Sequence, residues 1–366
     1  MNLSNDKSNT RFDFQTFSIL LLISVVPMLV GTWLLFGSYQ ESYLDVMGVT
    51  FSDTAETAFT MVNAYLQNQI ITVAGLTESP ILRAAVSAGN QDLKKNLDEV
   101  RRAIPKMEAA WPGMAREAPQ VKAILDNPAS QYLRRYTSVN KYYREILITD
   151  FFGRVVAASE KDPSYYFAQK DWWKETYGDG GRGSVYIGDV YYDNEAKTYF
   201  MDVAHPFIDP EAGVAGAIKI VLDLQAIHSL IGSIQTGPGR SVILIRAKGD
   251  VISAPGFSSL QQTTYPATLD ILKARDRQKR YLLSTGIPQS IYGLTQRSFI
   301  QLYPHLNWIV ATTAGVDEIT GPLRQLRKYF VVLLLSVFVG ALVVSLLVSQ
   351  VESRPVLEED PHLEKL

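Results

Sequence analysis

Cysteine is absent from this chain of 366 residues. That absence excludes a disulfide framework, a thiolate metal site and a cysteine nucleophile, but it leaves the cellular compartment open. Histidine is scarce as well, and its four positions are scattered along the chain: His205, His228, His305 and His362. An excess of one charge sign is also lacking, because the formal net charge is −2. The composition therefore predicts no metal site and no attraction to nucleic acid.

Sequence motifs of catalysis are missing too. The chain contains no His-Glu-x-x-His run and no Gly-x-Ser-x-Gly run, which removes common signatures of metalloproteases and serine hydrolases. Residues 178–183 spell Gly-x-Gly-x-x-Gly, but they precede a predicted strand and do not open a helix, so they indicate a loop. We therefore expect that the chain is not an enzyme and binds no cofactor.

Two stretches lack charged residues altogether. Residues 17–36 and 329–348 are each 20 residues long, which is enough for a helix to cross a hydrocarbon core of about 30 Å. We interpret them as transmembrane helices over 17–37 and 329–349, with a helix buried in a protein core as the alternative for each. For the first stretch a cleaved signal peptide is a further alternative. Its apolar core is longer than usual, however, and no small-x-small cleavage site follows Phe36.

Basic residues near the two stretches give opposing signals for orientation. Lys7 and Arg11 precede the first stretch and favour an inside N-terminus. Arg324, Arg327 and Lys328 directly precede the second stretch and argue for the reverse. Because long translocated loops largely escape this bias, we expect the loop outside and both tails inside.

Helical periodicity follows the first stretch. From Tyr43 to Ile71 apolar residues recur at steps of mostly three and four, which predicts a long helix over about 40–75. Such a helix can carry displacement, pair with a partner chain or simply pack along a domain.

After Tyr143 the pattern changes to alternation with β-branched residues, and it occurs twice. Residues 145–157 and 241–252 each read as strand, glycine turn and strand, with Gly153 and Gly249 at the turns, 96 residues apart. Residues 299–304 then match 200–206, and residues 308–313 take the place of 216–222. The order and spacing predict two sheet modules of one design in tandem. The alternative is that strand–glycine–strand pairs recur by chance.

This organisation resembles the double Cache (dCache) sensor domains of bacterial chemoreceptors and sensor kinases. The resemblance implies an α+β fold in which a long N-terminal helix is followed by two tandem PAS-like antiparallel-sheet modules, flanked by two transmembrane helices. The segments that it implies are a cytoplasmic tail (1–16), transmembrane helix 1 (17–37), the extracytoplasmic double Cache domain (38–321), transmembrane helix 2 (329–349) and a short cytoplasmic tail (350–366). Within the double Cache domain they are the long helix (about 40–75), a distal module (about 80–235) and a proximal module (about 236–321).

One local motif carries the resemblance to the amino-acid-binding members of that family. Their distal module contains Tyr-x4-Arg-x-Trp-Tyr, and this chain has Tyr165, Lys170, Trp172 and Trp173 at the same spacing. Lysine replaces the family's arginine, so a carboxylate would be met by a point charge without the planar fork. The resemblance thus implies a ligand site at these four residues.

A second family feature is not matched. The family's last distal strand carries an aspartate that holds the ligand's ammonium, and Ile218 stands at that position here. We therefore favour a carboxylate-bearing or uncharged metabolite as the ligand. Further candidate ligand-binding residues come from the strands after the motif: Tyr186, Asp189, Tyr191 and His205.

The function that follows is a membrane-anchored sensor in the bacterial inner (cytoplasmic) membrane, with its main domain extracytoplasmic. It would bind a small metabolite in the distal module and signal through the second transmembrane helix. We expect a homodimer. Residues 353–357 resemble the opening of a HAMP linker, so the chain is either a truncated receptor or passes its signal to a separate cytoplasmic signalling protein. The alternative function is a membrane-anchored interaction or structural protein whose modules bind a protein partner.

Overall fold

A computed structural model describes residues 14–95, 97–194, 196–234, 239–254, 265–284 and 288–352. The α-helices in these ranges are α1 (Phe14–Thr77), α2 (Pro80–Lys95), α3 (Leu97–Ala110), α4 (Pro119–Leu125), α5 (Pro128–Val139), α6 (Asp171–Tyr177), α7 (Gln225–Gly232), α8 (Thr268–Asp276), α9 (Val316–Ile319) and α10 (Gly321–Glu352). The strands are β1 (Tyr143–Asp150), β2 (Val155–Ala158), β3 (Tyr186–Ile187), β4 (Tyr191–Asp193), β5 (Thr198–Asp209), β6 (Gly213–Asp223), β7 (Arg240–Arg246), β8 (Val251–Ser253), β9 (Tyr281–Leu283), β10 (Ser290–Leu294) and β11 (Trp308–Gly315).

The chain divides into two compact units. One unit combines residues 1–47 with residues 316–366, and the other comprises residues 48–315. In the first unit the hydroxyl of Tyr43 donates a hydrogen bond of 3.1 Å to the carbonyl of Ile319. The second unit holds both sheets and is called the body below.

A candidate membrane span lies in α10. Among the described residues, one segment, Gly321–Val344, is long and apolar enough to cross a membrane. The described residues contain two such spans if the bent helix pair Val25–Thr77 and Pro80–Gln91 is counted as a single span. The segment begins eight residues before the predicted start at Tyr329. The span predicted over 17–37 stays a prediction.

The body contains two antiparallel sheets with the same strand order. The first sheet runs β2-β1-β6-β5-β3, with β4 also paired to β5, and the second runs β8-β7-β11-β10-β9. In each, the opening hairpin lies beside the last strand of the module. The predicted α+β architecture, a long N-terminal helix followed by two sheets of one design, is confirmed. We call these sheets and their helices the distal and proximal modules.

The two opening hairpins also agree in detail. Gly153 and Gly249 both have positive φ, at 89° and 98°, a region that side chains with a Cβ rarely adopt. Each hairpin has a register shift at the corresponding place, between Ile148 and Thr149 and between Leu244 and Ile245. The repeat inferred from glycine spacing is therefore a repeat of backbone geometry.

One part of the predicted repeat is wrong. Residues 299–304 were expected to match the strand at 200–206, but Phe299–Gln301 forms a 3₁₀ helix, and β10 (Ser290–Leu294) is the strand at that place. The buried ring of Phe299 packs 4.3 Å from the ring of Phe59 and 5.7 Å from that of Trp308. The apolar residues around Phe299 thus bury a short 3₁₀ helix, although the same residues would also suit a strand.

Helix α1 contacts both modules. Hydrophobic side chains of α1 form one core with one face of each sheet. The buried residues that α1 contributes to this core are Ala58, Phe59, Val62, Leu66, Val73 and Leu76. Gln67 donates a hydrogen bond of 3.0 Å to the Tyr303 hydroxyl in the proximal module. Gln69, two residues later, accepts one of 2.6 Å from the Tyr143 hydroxyl in the distal module.

The other face of each sheet is covered by helices of the same module. In the proximal module it packs against α8 through Ile271 and Ala274. In the distal module it packs against α6, α4 and the Trp111 region, through Trp172, Trp173, Val121 and Leu125. This covered distal face carries the site described next.

Candidate functional site

Three charged side chains share the covered face of the distal sheet. Successive residues of a strand point to opposite faces, and in β6 the neighbours Ile218 and Ile220 belong to the core shared with α1. Lys219 between them therefore points to the covered face. Glu145 in β1 and Asp202 in β5 reach that face by the same alternation, because Ile146 and Val203 belong to the α1 core.

The strand register brings these three residues together. Val221 of β6 pairs with Glu145 on one side and with Asp202 on the other. Lys219 lies two residues before Val221 on the same face, so each acid is its diagonal neighbour. Diagonal neighbours are within reach of long side chains, and a lysine ammonium can therefore lie between the two carboxylates.

A third carboxylate comes from the loop after β2. Asp162 lies with its Oδ2 3.7 Å from Nζ of Lys219, and the side chains of Lys219 and Asp162 are 8% and 15% exposed. The ammonium also lies 5.5 Å from the ring centres of both Phe167 and Trp172, a distance at which an aromatic face attracts a cation. Lys219 thus lies among acids and aromatic rings.

Tyr191 of β4 completes the group on the solvent side. Its hydroxyl donates a hydrogen bond of 3.0 Å to Oδ1 of Asp202, while its side chain remains 39% exposed. We call Glu145, Asp162, Asp202, Lys219 and Tyr191 the Lys219 cluster. Because its outer member is exposed, the cluster borders solvent and is not sealed in the core.

Burial perturbs the titration of the cluster. It raises the pKa of Glu145 to about 8, an effect that Lys219 opposes and that Asp162 and Asp202 reinforce. Burial also raises the pKa of Asp202, against the pull of Lys219. Burial alone would lower the pKa of Lys219, but the nearby carboxylates of Asp202, Glu145 and Asp162 outweigh it and raise that pKa. Lys219 is therefore charged, and Glu145 holds a proton near neutral pH.

One polar atom of the cluster also lies in an unusual environment. Oε1 of Glu145 is buried and has no hydrogen-bond partner among the described residues. Such atoms are rare in native proteins, because burying a polar group without a partner costs free energy.

Some of the predicted site residues lie at the cluster. Trp172 contacts the Lys219 ammonium with its ring, and Tyr191 is a member. Tyr165 lies beside them, with its ring 5.4 Å from that of Trp111, whose indole donates to the carbonyl of Asp162. Trp173 is buried on the same face, where its indole donates a hydrogen bond of 3.0 Å to Oγ1 of Thr149.

The other predicted residues lie elsewhere. Lys170 is exposed at the N-terminus of α6. Asp189 contacts Arg246 and Trp308 of the proximal module, and the ring of Tyr186 lies 5.0 Å from that of His305. The preference for a carboxylate-bearing or uncharged ligand stays a prediction; its basis was Lys170, which is exposed, and the absence of an acid at Ile218.

His205 points away from the cluster. In β5 it alternates with Asp202 and Ala204, and its Nδ1 lies 2.9 Å from the carbonyl of Pro206. Burial lowers the pKa of His205, so the ring is neutral at pH 7.

Sequence reasoning missed four members of the cluster: Glu145, Asp162, Asp202 and Lys219. A signal was present, since Lys219 is the one charged residue in the apolar run 214–222, and Glu145 directly precedes Ile-Leu-Ile. A charge inside a strand whose neighbours are buried indicates a paired or functional group.

The distal module matches a known family. Residues 123–229 match the family model for the first PDC sensor domain of methyl-accepting chemotaxis protein-like proteins. This segment is therefore similar to the sensor domains of chemoreceptors. It contains the whole Lys219 cluster, and the resemblance to double Cache sensor domains is confirmed. No curated protein sequence matches the chain.

Solved structures of chemoreceptor ligand-binding domains resemble the chain over about three quarters of its length. The ligand-binding domain of the Campylobacter jejuni chemoreceptor Tlp3 in complex with L-valine aligns with a TM-score of 0.51 and 12% identity, covering 77% of this chain and 97% of that one. The ligand-binding domain of the Pseudomonas fluorescens chemoreceptor CtaA in complex with L-leucine aligns with a TM-score of 0.44 and 12% identity, covering 77% and 99%. The Tlp3 likeness shows a shared fold.

Proposed function

We propose that the chain is a membrane-anchored sensor and not an enzyme, and that its distal module binds a small molecule at the Lys219 cluster. The observation that carries this proposal is the cluster itself: ionisable groups on the covered sheet face of a segment that matches a sensor-domain family. Strongly perturbed ionisable groups concentrate at functional sites.

A binding role explains the cluster better than a structural role does. A buried ion pair that only stabilised the fold would balance its charges and satisfy its polar atoms. Here three carboxyl groups face one ammonium, and a proton held by Glu145 compensates part of the negative excess. One oxygen of Glu145 also has no partner among the described residues. Tyr191, exposed at the edge, gives a ligand a direction of entry.

The proposed site differs from the predicted one in part. Trp172, Tyr191, Tyr165 and Trp173 remain proposed as walls of the site. Lys170, Tyr186, Asp189 and His205, also predicted, are proposed for no direct contact with ligand, because each has another environment.

The membrane arrangement is proposed as well. Transmembrane helices over 17–37 and 329–349 hold the double Cache domain (38–321) outside the bacterial cytoplasmic membrane, with both tails inside. The candidate span in α10 supports the second helix. We further propose a homodimer that passes its signal to cytoplasmic signalling machinery.

Signalling follows from two-state behaviour. A ligand that binds one arrangement of the modules more tightly shifts the population toward that arrangement, by no more than its difference in affinity for the two. Tyr191 of the cluster directly follows the segment Gly188–Val190, which contacts the proximal module. A ligand bound at the cluster would thereby change the contacts of the proximal module, which precedes α10 in the chain.

The test is a thermal-shift screen of the full chain in detergent against amino acids, organic acids, amines and nucleobases. We expect a compound that stabilises the wild type to act equally on Lys170→Ala, since Lys170 is exposed. The same compound should fail on Asp202→Asn and act less on Tyr191→Phe, which removes one hydroxyl from an exposed ring.

Two outcomes would overturn the proposal. One is a compound whose effect survives Asp202→Asn and Tyr191→Phe but is lost in Lys170→Ala, which would return the site to the motif lysine. The other is the absence of any stabilising compound together with capture of a protein partner by the same body, which would favour the interaction protein.

A further inference from the structure

The charges of the Lys219 cluster do not balance. Carboxylates come from three separate elements: Glu145 on β1, Asp202 on β5 and Asp162 in the loop after β2. A single ammonium, that of Lys219 on β6, faces all three. Buried charges are normally paired, and an excess of one sign is held only when a proton or another ion compensates it.

We propose that the ligand is a small organic cation, a primary amine or diamine, whose ammonium binds Oε1 of Glu145 and whose binding releases a proton. This inference rests on the proposed function, because it names the ligand class of the same site.

The walls of the cluster suit an ammonium. The rings of Phe167 and Trp172 each lie 5.5 Å from the Lys219 ammonium. The site therefore already holds one cation by carboxylates and aromatic faces together. A second ammonium would meet the same chemistry at Glu145, where Oε1 is buried without a hydrogen-bond partner among the described residues and where Tyr191 lies within electrostatic reach.

A metal ion fits less well than an organic cation. Among the described residues, no group of three or more His, Asp or Glu side chains is arranged to hold a metal ion. The acids of the cluster are spread across two strands and a loop, around an ammonium. A hard cation needs several oxygen ligands converging at about 2–2.6 Å.

An amino acid or a simple carboxylate also fits less well, because its carboxylate would need a free cation. The ammonium of Lys219 is surrounded by acids. The nearby Lys161 donates hydrogen bonds of 3.1 and 2.9 Å to the carbonyls of Pro112 and Met114. Lys170, the counterpart of the family's arginine, is exposed at the start of α6.

The proton comes from Glu145. Its carboxyl is faced by Lys219 from β6, Asp202 from β5, and Asp162 and Glu160 from the loop after β2, with Tyr191 on β4 also in range. Burial and the neighbouring acids raise its pKa to about 8, so it is protonated at pH 7. A bound ammonium favours the ionised carboxylate, and the O–H proton passes to solvent.

The experiment is calorimetric titration of the full chain in detergent with three compounds of one chain length: 1,4-diaminobutane, 1,4-butanediol and butanedioate. We expect binding of the diamine alone. Titration in phosphate and in Tris at pH 7 should report the release of close to one proton per site. Below pH 8, Glu145 is protonated in the free chain. The affinity for the diamine should therefore increase by up to about tenfold for each unit by which the pH is raised toward 8.

Matched variants separate the parts of the inference. Glu145→Gln should abolish both the proton release and the pH dependence, whereas Glu160→Gln should keep both, because Glu160 is an exposed neighbour paired with Arg144. Proton release that persists in Glu145→Gln would overturn the assignment of the proton.

The titration also tests the class of the ligand. Binding of the diol or the dicarboxylate, without binding of the diamine, would overturn the assignment of the ligand as a cation. The proposed sensor function would remain. If no compound of any class binds, in this titration or in the broader thermal screen, the proposed function fails with it.

Discussion

Oδ1 of Asp189 accepts a hydrogen bond of 2.7 Å from the indole nitrogen of Trp308 and so joins the distal module to the proximal one. The second oxygen, Oδ2, lies 2.8 Å from Nε of Arg246, at the end of β7. Trp308 begins β11, the last strand before α9 and α10. One carboxylate between β3 and β4 therefore fixes two strands of the neighbouring sheet.

Replacing Asp189 with alanine should loosen this contact. We expect a loss of about 1.5–3 kcal/mol in the free energy of unfolding, because the hydrogen bond from Trp308 to a charged group and the ion pair with Arg246 are lost together. Urea denaturation measures the loss, and hydrogen exchange should show faster opening of β7 and β11. Asp171→Ala is the control, since its side chain is 87% exposed. Equal exchange in both variants would contradict the coupling role.

The buried ion pair of the first hairpin should matter more for stability. Oδ2 of Asp150 lies 2.7 Å from Nε of Arg154, with side chains 0% and 11% exposed. Oδ1 of Asp150 also accepts from the backbone nitrogens of Phe152 and Arg154. Removing one partner of a buried pair costs about 3–5 kcal/mol, so Asp150→Ala should be strongly destabilised in urea. Asp126→Ala breaks an exposed pair with Arg116 and should behave like the wild type. A small loss in Asp150→Ala would argue against a buried lock.

Two glycines should respond to alanine in opposite directions. Gly153 has a φ of +89°, and a Cβ there would lie 2.7 Å from the backbone nitrogen of Ala168. We expect Gly153→Ala to lower the free energy of unfolding by more than about 1 kcal/mol. Gly75 lies in α1 with open space around it, so Gly75→Ala should raise stability by about 0.5–1 kcal/mol. Thermal or urea denaturation of both variants checks the signs, and two changes of the same sign would refute the argument.

The stability of the ligand-free chain should fall as pH rises toward 8. Glu145 has a folded pKa raised to about 8 by burial, so the folded state keeps a proton that the unfolded chain releases above about pH 4.3. Between these values unfolding releases that proton, and stability declines by up to about 1.4 kcal/mol per pH unit. Burial raises the pKa of Asp202 in the same direction, so Glu145→Gln should flatten the slope without removing it. Urea denaturation at pH 5.5, 7 and 8.5 provides the measurement, and parallel slopes for variant and wild type would contradict it.

Features with a local signature were predictable from the sequence. The long helix showed its period of three to four, and the two hairpins showed paired glycines at Gly153 and Gly249, both of which adopt positive φ. The α+β class and the tandem sheets followed from these. Phe299 was misassigned because a short 3₁₀ plug and a strand can carry the same apolar residues.

The candidate site depended on contacts that no local pattern encodes. Glu145 and Asp202 are 57 positions apart in the sequence, and they meet only because both pair with Val221. The family motif drew attention to Lys170 and Trp172, which are two positions apart along the chain. The structure separates them, leaving the lysine at the surface and burying the tryptophan against Lys219. The tertiary register decided which lysine belongs to the cluster.

The two bonds from α1, Gln67 to Tyr303 and Gln69 to Tyr143, restrict how this chain can change in length during evolution. An inserted residue at position 68 would turn everything beyond it by about 100° and carry Gln69 away from its partner. Recombination that exchanges one module for that of another receptor would therefore survive only at crossover points that conserve helical phase. Gains and losses near this point should come in steps of about seven residues, close to two full turns.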